Sequence, residues 1–406
     1  MNTKTSVPSH TAITLNHVSG DLEVGRHVTV KGPTPQFKVT VSGTVYCDGD
    51  DTFECSLHAE NLKAEGNVRV HGDLEVEADV EIEDGSLEAY GDLTAVRVDV
   101  DDALYVSKTL SAEKIEIGGS LKTHGNVKAE DIEVGGTLET DGELAAKDVE
   151  VGGTLMVKSK ADIKNLEVGG TARVSGGRIR KVDVGGSFES LNPLEFDNID
   201  VGGTVRLAGK NKGGDVDVGG SFRVDGDLDF EQIEVGGTVK LAGLIRGNRM
   251  EVGGTVEVEG SLKLSGKLEV GGTVDVSGDV DAGDVDVGGI IHAKKITAEE
   301  RVEIGGSVTT SEGLNARIVE IGRRGEVRGL IRAETVIIDR DARTEDIRGR
   351  EILLRRGSSA NNIYGEKITI EHRCQVYGEL LYTDELKLGE EASLAKQPRR
   401  VAELPP

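Results

Sequence analysis

Apolar and polar residues alternate along almost the whole chain, in runs too short for helices. One cycle places Val149 and Val151 on one side, then Leu155 and Val157, then Ile163, before Leu166 opens the next. A period of two is the signature of a strand with one buried face. Twelve Gly-Gly pairs punctuate the alternation, beginning at 118, 135, 152, 169, 185, 202, 219, 236, 253, 271, 288 and 305. Each sits in one phrase, as in Ile132-Glu133-Val134-Gly135-Gly136-Thr137-Leu138. A fixed period of this length specifies a solenoid. Helix is a poor alternative, because Gly-Gly every 17 residues would break each one at a cost of about 1 kcal/mol per glycine. The pattern predicts an all-β chain, a single long parallel β-helix with three short strands and three corners per coil.

The second apolar residue of the phrase can be followed beyond the glycines. Upstream it gives Ile117, Val100, Ile82, Ala64, Val41 and Val24, and downstream Ile321, Ile338, Leu354, Ile370 and Leu388. That predicts about 22 coils of about 17 residues, or a rod of roughly 105 Å at the usual strand spacing. The step from Val41 to Ala64 is long, which predicts a loop at Asp48 to His58. At the Gly-Gly corner a sharp bend requiring φ > 0 is expected, a conformation glycine adopts without steric cost. The residue after it forms an expected external hydroxyl column: Thr137, Thr154, Thr171, Ser187, Thr204, Ser221, Thr238, Thr255 and Thr273.

Composition agrees with a narrow aliphatic core. Of 406 residues 3% are aromatic, none is Trp and 56 are Gly, without the three-residue period of collagen. The formal charge of −25 disfavours nucleic acid as a partner. Its distribution divides the chain. Residues 1–316 carry 31 Lys+Arg against 57 Asp+Glu, whereas 317–400 carry 17 against 15. The expected organisation is a polar N-terminal segment (1–17), an acidic β-helix body (18–316), Arg-rich C-terminal coils (317–395) and a flexible Pro-containing tail (396–406). Met1 to His10 hold no apolar segment and no stretch approaches eighteen apolar residues, so neither a signal peptide nor a membrane span is expected. The three cysteines, Cys47, Cys55 and Cys374, have no framework spacing. A cytoplasmic protein, with membrane association left open, is the default.

Catalytic chemistry finds little support. The eight histidines are scattered through the coil phase, and a His17–His27 pair on adjacent coils lacks a third metal ligand. Acidic residues such as Asp183, Asp200, Asp217 and Glu234 recur between inward positions, as a solvated face does. Long loops and aromatic sugar platforms are missing from the pattern. No enzyme activity, metal or cofactor is expected.

Two features remain. In the last coils the Gly-Gly corner is replaced by Gly322-Arg323-Arg324, Asp339-Arg340-Asp341, Arg355-Arg356 and His372-Arg373. Arg323, Arg324, Arg340, Arg355, Arg356 and Arg373 thus form a candidate docking strip for an acidic protein, an anionic membrane surface or the acidic body of another copy, or else an ion-paired surface of small energetic weight. Tyr364, Tyr377, Leu380, Leu381 and Tyr382 cluster near the C-terminal end, where a solenoid must cap or use its exposed core; they are the candidate polymerisation residues.

The phrases Val336-Ile337-Ile338-Asp339, Asp346-Ile347-Arg348-Gly349, Ile363-Tyr364-Gly365-Glu366-Lys367-Ile368-Thr369-Ile370 and Val376-Tyr377-Gly378-Glu379-Leu380 resemble the bactofilins, polymer-forming cytoskeletal proteins. The Pro-terminated tail looks like archaeal members, and the overall pattern is similar over roughly residues 18–395. The resemblance implies a right-handed three-faced β-helix. It also implies nucleotide-independent, non-polar homopolymers formed end to end, with a role in cell shape or membrane scaffolding. The alternative is a rigid spacer or binding solenoid that never polymerises, at the cell surface.

Overall fold

The inward alternation is realised as parallel strands throughout. The computed structural model describes residues 4–34 and 37–405, in two compact units, Met1–Gly202 and Gly203–Pro406. In the first unit one coil runs through Asp131–Val134 (first face), Thr137–Thr140 (second face) and the start of Leu144–Val151 (third face). That last strand continues through the third corner into the first face of the next coil, pairing Asp131 with Asp148 and Val134 with Val151. In the second unit Asp215–Val218, Ser221–Asp225 and Leu228–Asp229 do the same, in register with strands seventeen residues on. Among the described residues eleven second-face strands lie in the first unit and twelve in the second, and no helix occurs. The fold is a parallel β-solenoid with the expected three strands per coil. One more coil is present than the phrase count predicts.

Each coil points Val, Ile, Leu and Ala inward, where like residues stack on like. Val149, Leu155, Val168, Val182, Val216, Leu241 and Val256 are all essentially inaccessible to solvent. Phe53, Phe188 and Phe222 are the largest fully buried side chains. The core is therefore built from one coil's width of aliphatic volume, which is why so few aromatic residues suffice. The hydroxyl column is external and in register, from Thr137 to Ser187 in one unit and Thr204 to Thr273 in the other.

The Gly-Gly corner is where expected, but for a different reason. None of the glycines in these twelve corner pairs has a left-handed φ. What they supply is proximity. A Cβ on Gly135 would lie 2.2 Å from the Gly118 carbonyl oxygen, and one on Gly152 would lie 2.2 Å from that of Gly135. Successive corners stack backbone on backbone, and a side chain on that side has no room. Left-handed residues occur instead at wider corners, among them Arg324 (φ 62), Asp341 (φ 60) and Arg373 (φ 60).

The first coils depart from the sequence reading. The segment Asp48 to His58 is not a loop: Asp51–Glu54 and Ser56–Ala59 are second- and third-face strands, with Phe53, Cys55 and Leu57 buried. Val41 pairs with Val18 on the third face, and the first-face residue of that coil is Cys47, between Val24 and Ala64. Val39-Thr40-Val41-Ser42-Gly43-Thr44 imitates the first-face phrase and displaced the register. The extra residues fall between Lys31 and Lys38, partly outside the described residues. The described part of the N-terminal segment, residues 4–17, also belongs to the solenoid, since Lys4–Val7 and Ala12–Thr14 pair with the next coil. In the tail, Arg399–Arg400 pairs with Leu381–Tyr382.

Asp51 occupies an inward position paired with Val68, with its side chain buried. Val28 and Gly49 N–H groups donate to its carboxylate at 2.8 and 3.4 Å. Burial outweighs these donors and pushes the carboxyl up to about 6. A carboxyl raised in the folded state favours folding while protonated. Its contribution is therefore lost as pH rises from about 4 through about 6. Asp51→Asn should melt higher than the parent at neutral pH by at most about 3 kcal/mol, with the advantage vanishing towards pH 4. Thermal melts across that range check this; parallel profiles for the two proteins would contradict it.

Candidate functional site

The inward columns of the second unit can be followed to their last members. Ile352 and Ile368 are buried, and the next residue of that column is Leu386; Leu354 and Ile370 lead likewise to Leu388, and Val376 to Leu394. Leu388 is 47% exposed and Leu386 and Leu394 are half-buried, whereas Ile368, Ile370 and Val376 are at most 2% exposed. The strand Leu380–Leu388 pairs along its length with Ile363–Ile370. On its other side, among the described residues, only Leu381 and Tyr382 are strand-paired, with Arg399 and Arg400. Among the described residues no strand pairs with Glu385–Leu388 on that side. Beyond Arg400 the chain turns back along the coils already formed, where the Arg348 guanidinium donates to the Pro405 carbonyl at 3.4 Å. A slice of apolar core and the open edge of a parallel sheet are therefore presented together.

The candidate polymerisation residues are not gathered there. Leu380 lies in the core, 1% exposed, continuing the column of Ile363. Tyr364 and Leu381 share an outward column of the third face, with the Arg348 guanidinium 5.3 Å from the Tyr364 ring centre. Tyr382 stands in the neighbouring column above Gly365. Tyr377 is 62% exposed on the second face. The aromatic residues lie in the same last coils as the open slice but on other surfaces of them. The open slice was readable by carrying the inward phase of Ile368, Ile370 and Val376 one coil further.

The arginine corner has the expected register. The Arg324 N–H donates to the Arg340 carbonyl at 2.9 Å and the Asp341 N–H to that of Arg356 at 3.1 Å, so Arg323, Arg340 and Arg356 occupy equivalent places in successive coils. Arg355 pairs with Asp339 at 3.3 Å and Arg373 with Glu391 at 2.8 Å. Arg323, Arg324, Arg340 and Arg356 are exposed, and their side chains have no ion-pair partner among the described residues.

Other chemistry is sparse. Among the described residues no group of three or more His, Cys, Asp or Glu is arranged to hold a metal ion. His27 stacks with His10, ring centres 5.1 Å apart, and not with His17, whose ring contacts the Ser19 hydroxyl. Cys47, Cys55 and Cys374 are buried free thiols; burial pushes Cys55 up to about 11 and Cys47 well above the ordinary range, so neither is a ready nucleophile. A ring ladder of His71, Tyr90, Tyr105 and His124 runs over successive coils with centres 5.3 to 5.8 Å apart. No helix among the described residues is long and apolar enough to cross a membrane. Comparison with known proteins gives no match to any protein-family model, curated protein or solved structure.

Proposed function

We propose that the chain is a bactofilin-like cytoskeletal scaffold that self-assembles end to end into filaments without nucleotide. The open slice carries this reading. Leu386, Leu388 and Leu394 expose core where a further coil would stack, and the same strand offers unpaired backbone to it. An exposed sheet edge beside apolar surface is a template for another chain, and terminal repeats of a solenoid otherwise need a polar cap. A second copy placed there continues both the hydrogen-bond ladder and the core. Cell shape or membrane-associated organisation is the role such a filament would serve, with the protein itself as principal partner. Negative-stain electron microscopy of purified protein over a concentration series, without nucleotide, tests this. Unbranched filaments whose number grows with concentration are expected. Discrete particles at every concentration would overturn the reading and favour a non-polymerising spacer.

A further inference from the structure

We propose that the chain also carries a lateral docking surface for a second copy of itself, in which the arginine column of one copy lies along a carboxylate ladder of another. The ladder is on the first face of the first unit. Glu133, Glu150, Glu167, Asp183 and Asp200 are paired in register through five successive coils. All five are exposed, and none has an ion-pair partner among the described residues. In the second unit Asp217 and Glu234 stand in register in the corresponding first-face column and are likewise exposed without an ion-pair partner among the described residues, whereas other members of the two columns are neutralised locally. Glu116 pairs with Lys114 and Arg97 in the first unit, and Glu251, Glu269, Asp286 and Glu320 pair with Arg249, Lys267 or Arg301 in the second. Like charges stacked at one coil spacing repel one another, so this stretch gains from a cationic partner of the same period.

The arginine column supplies that partner. Arg323, Arg340 and Arg356 project one guanidinium per coil, with Arg324 beside them; among the described residues none of these four makes an ion pair, Arg356 acting on the Glu391 carboxylate only through space, while Arg355 and Arg373 in the same corner are paired. Both columns step by one strand spacing, about 4.8 Å. Aligning one pair therefore aligns the others, and a guanidinium opposite a carboxylate can make two parallel hydrogen bonds. A flexible polyanion or a lipid surface would satisfy the arginines but not the ladder, and free cations would satisfy the ladder but not the arginines. A second copy satisfies both. The contact is heterologous, so it is able to add copies side by side. It does not rest on the end-to-end reading.

The test is made in a background with the end contact disabled, Leu388→Gln with Leu394→Gln, by sedimentation velocity. Association is expected to weaken at least tenfold between about 0.05 and 0.5 M NaCl as screening shortens the reach of surface charges. Arg323→Glu, Arg340→Glu and Arg356→Glu together should abolish it, and the three Gln substitutions should reduce it, with melting temperatures confirming that each variant is folded. A ladder variant, Glu133→Lys with Glu150→Lys and Glu167→Lys, should also stay monomeric alone. Mixing the arginine-reversed and ladder-reversed proteins should restore association, because each reversed strip then faces its complement. That recovery separates a specific contact from a general effect of net charge. A monomeric parent, an arginine-reversed protein that associates like the parent, or a mixture that stays monomeric would each overturn the proposal. So would association that requires millimolar calcium and survives loss of the arginines.

Discussion

Gly152→Val is expected to destabilise the first unit by about 4 kcal/mol or more, the range reached only when a substitution forces backbone apart or strands a buried group. The ideal Cβ of residue 152 meets the Gly135 carbonyl oxygen at 2.2 Å. That oxygen belongs to a stacked corner held by the Gly152 N–H to the Val134 carbonyl at 2.9 Å and the Gly153 N–H to the Gly136 carbonyl at 3.0 Å. Relief therefore requires adjacent coils to separate, and the Val branches add volume where even alanine does not fit. Glu150→Gln, on the exposed first face of the same coil, should change stability little. Circular dichroism melts of both variants beside the parent check the contrast. A Gly152→Val protein melting with the parent would mean that the corners are not packed backbone to backbone.

Leu388→Gln with Leu394→Gln is expected to raise the concentration needed for assembly about 100-fold, while leaving the fold nearly as stable as before. Completing the burial of two partly exposed leucines is worth roughly 3 kcal/mol, which converts to about two decades in affinity. The buried homologue of Leu388 in the preceding coil behaves oppositely. Ile370 is 1% exposed, so Ile370→Gln should damage the fold itself, because an amide would be buried without a partner. Light scattering against concentration for assembly, with melts for stability, separates the two effects. A Leu388→Gln, Leu394→Gln protein assembling like the parent would place the contact elsewhere.

The repeat made much of this architecture legible. Inward and outward positions follow from alternation alone, so the phrase around Val134 locates both the core residues and the hydroxyl column without any three-dimensional information. The function of the glycines was not legible. A bend needing a left-handed residue and a corner needing backbone contact both select glycine, and only the stacked geometry distinguishes them. The slip at Val41 has a related origin. A third-face strand followed by Ser42-Gly43-Thr44 imitates a first-face strand followed by Gly-Gly-Thr, and a local phrase does not reveal which face it lies on. In the sequence Tyr364, Tyr377 and Tyr382 are conspicuous because the chain is poor in aromatics, whereas Leu386, Leu388 and Leu394 look like ordinary core. Their significance lies in their exposure, because among the described residues no strand pairs over Leu386 and Leu388. The unpaired arginines and the unpaired ladder could be counted in the sequence, but pairing depends on neighbours one coil away and so needed coordinates.

Hydrogen exchange at the open edge tests the central claim most directly. Along each coil the inward residues direct their N–H and C=O groups towards the next coil, as the Ile370 carbonyl accepts from the Gly389 N–H at 2.7 Å. Leu386 and Leu388 therefore direct theirs towards the uncovered side, and their amides should exchange quickly at concentrations too low for assembly. As concentration rises these two amides should become protected together with assembly, while the exposed Tyr377 surface keeps its solvent access. Assembly that leaves Leu386 and Leu388 exchanging as fast as in the dilute protein would contradict an end-to-end contact through the open core.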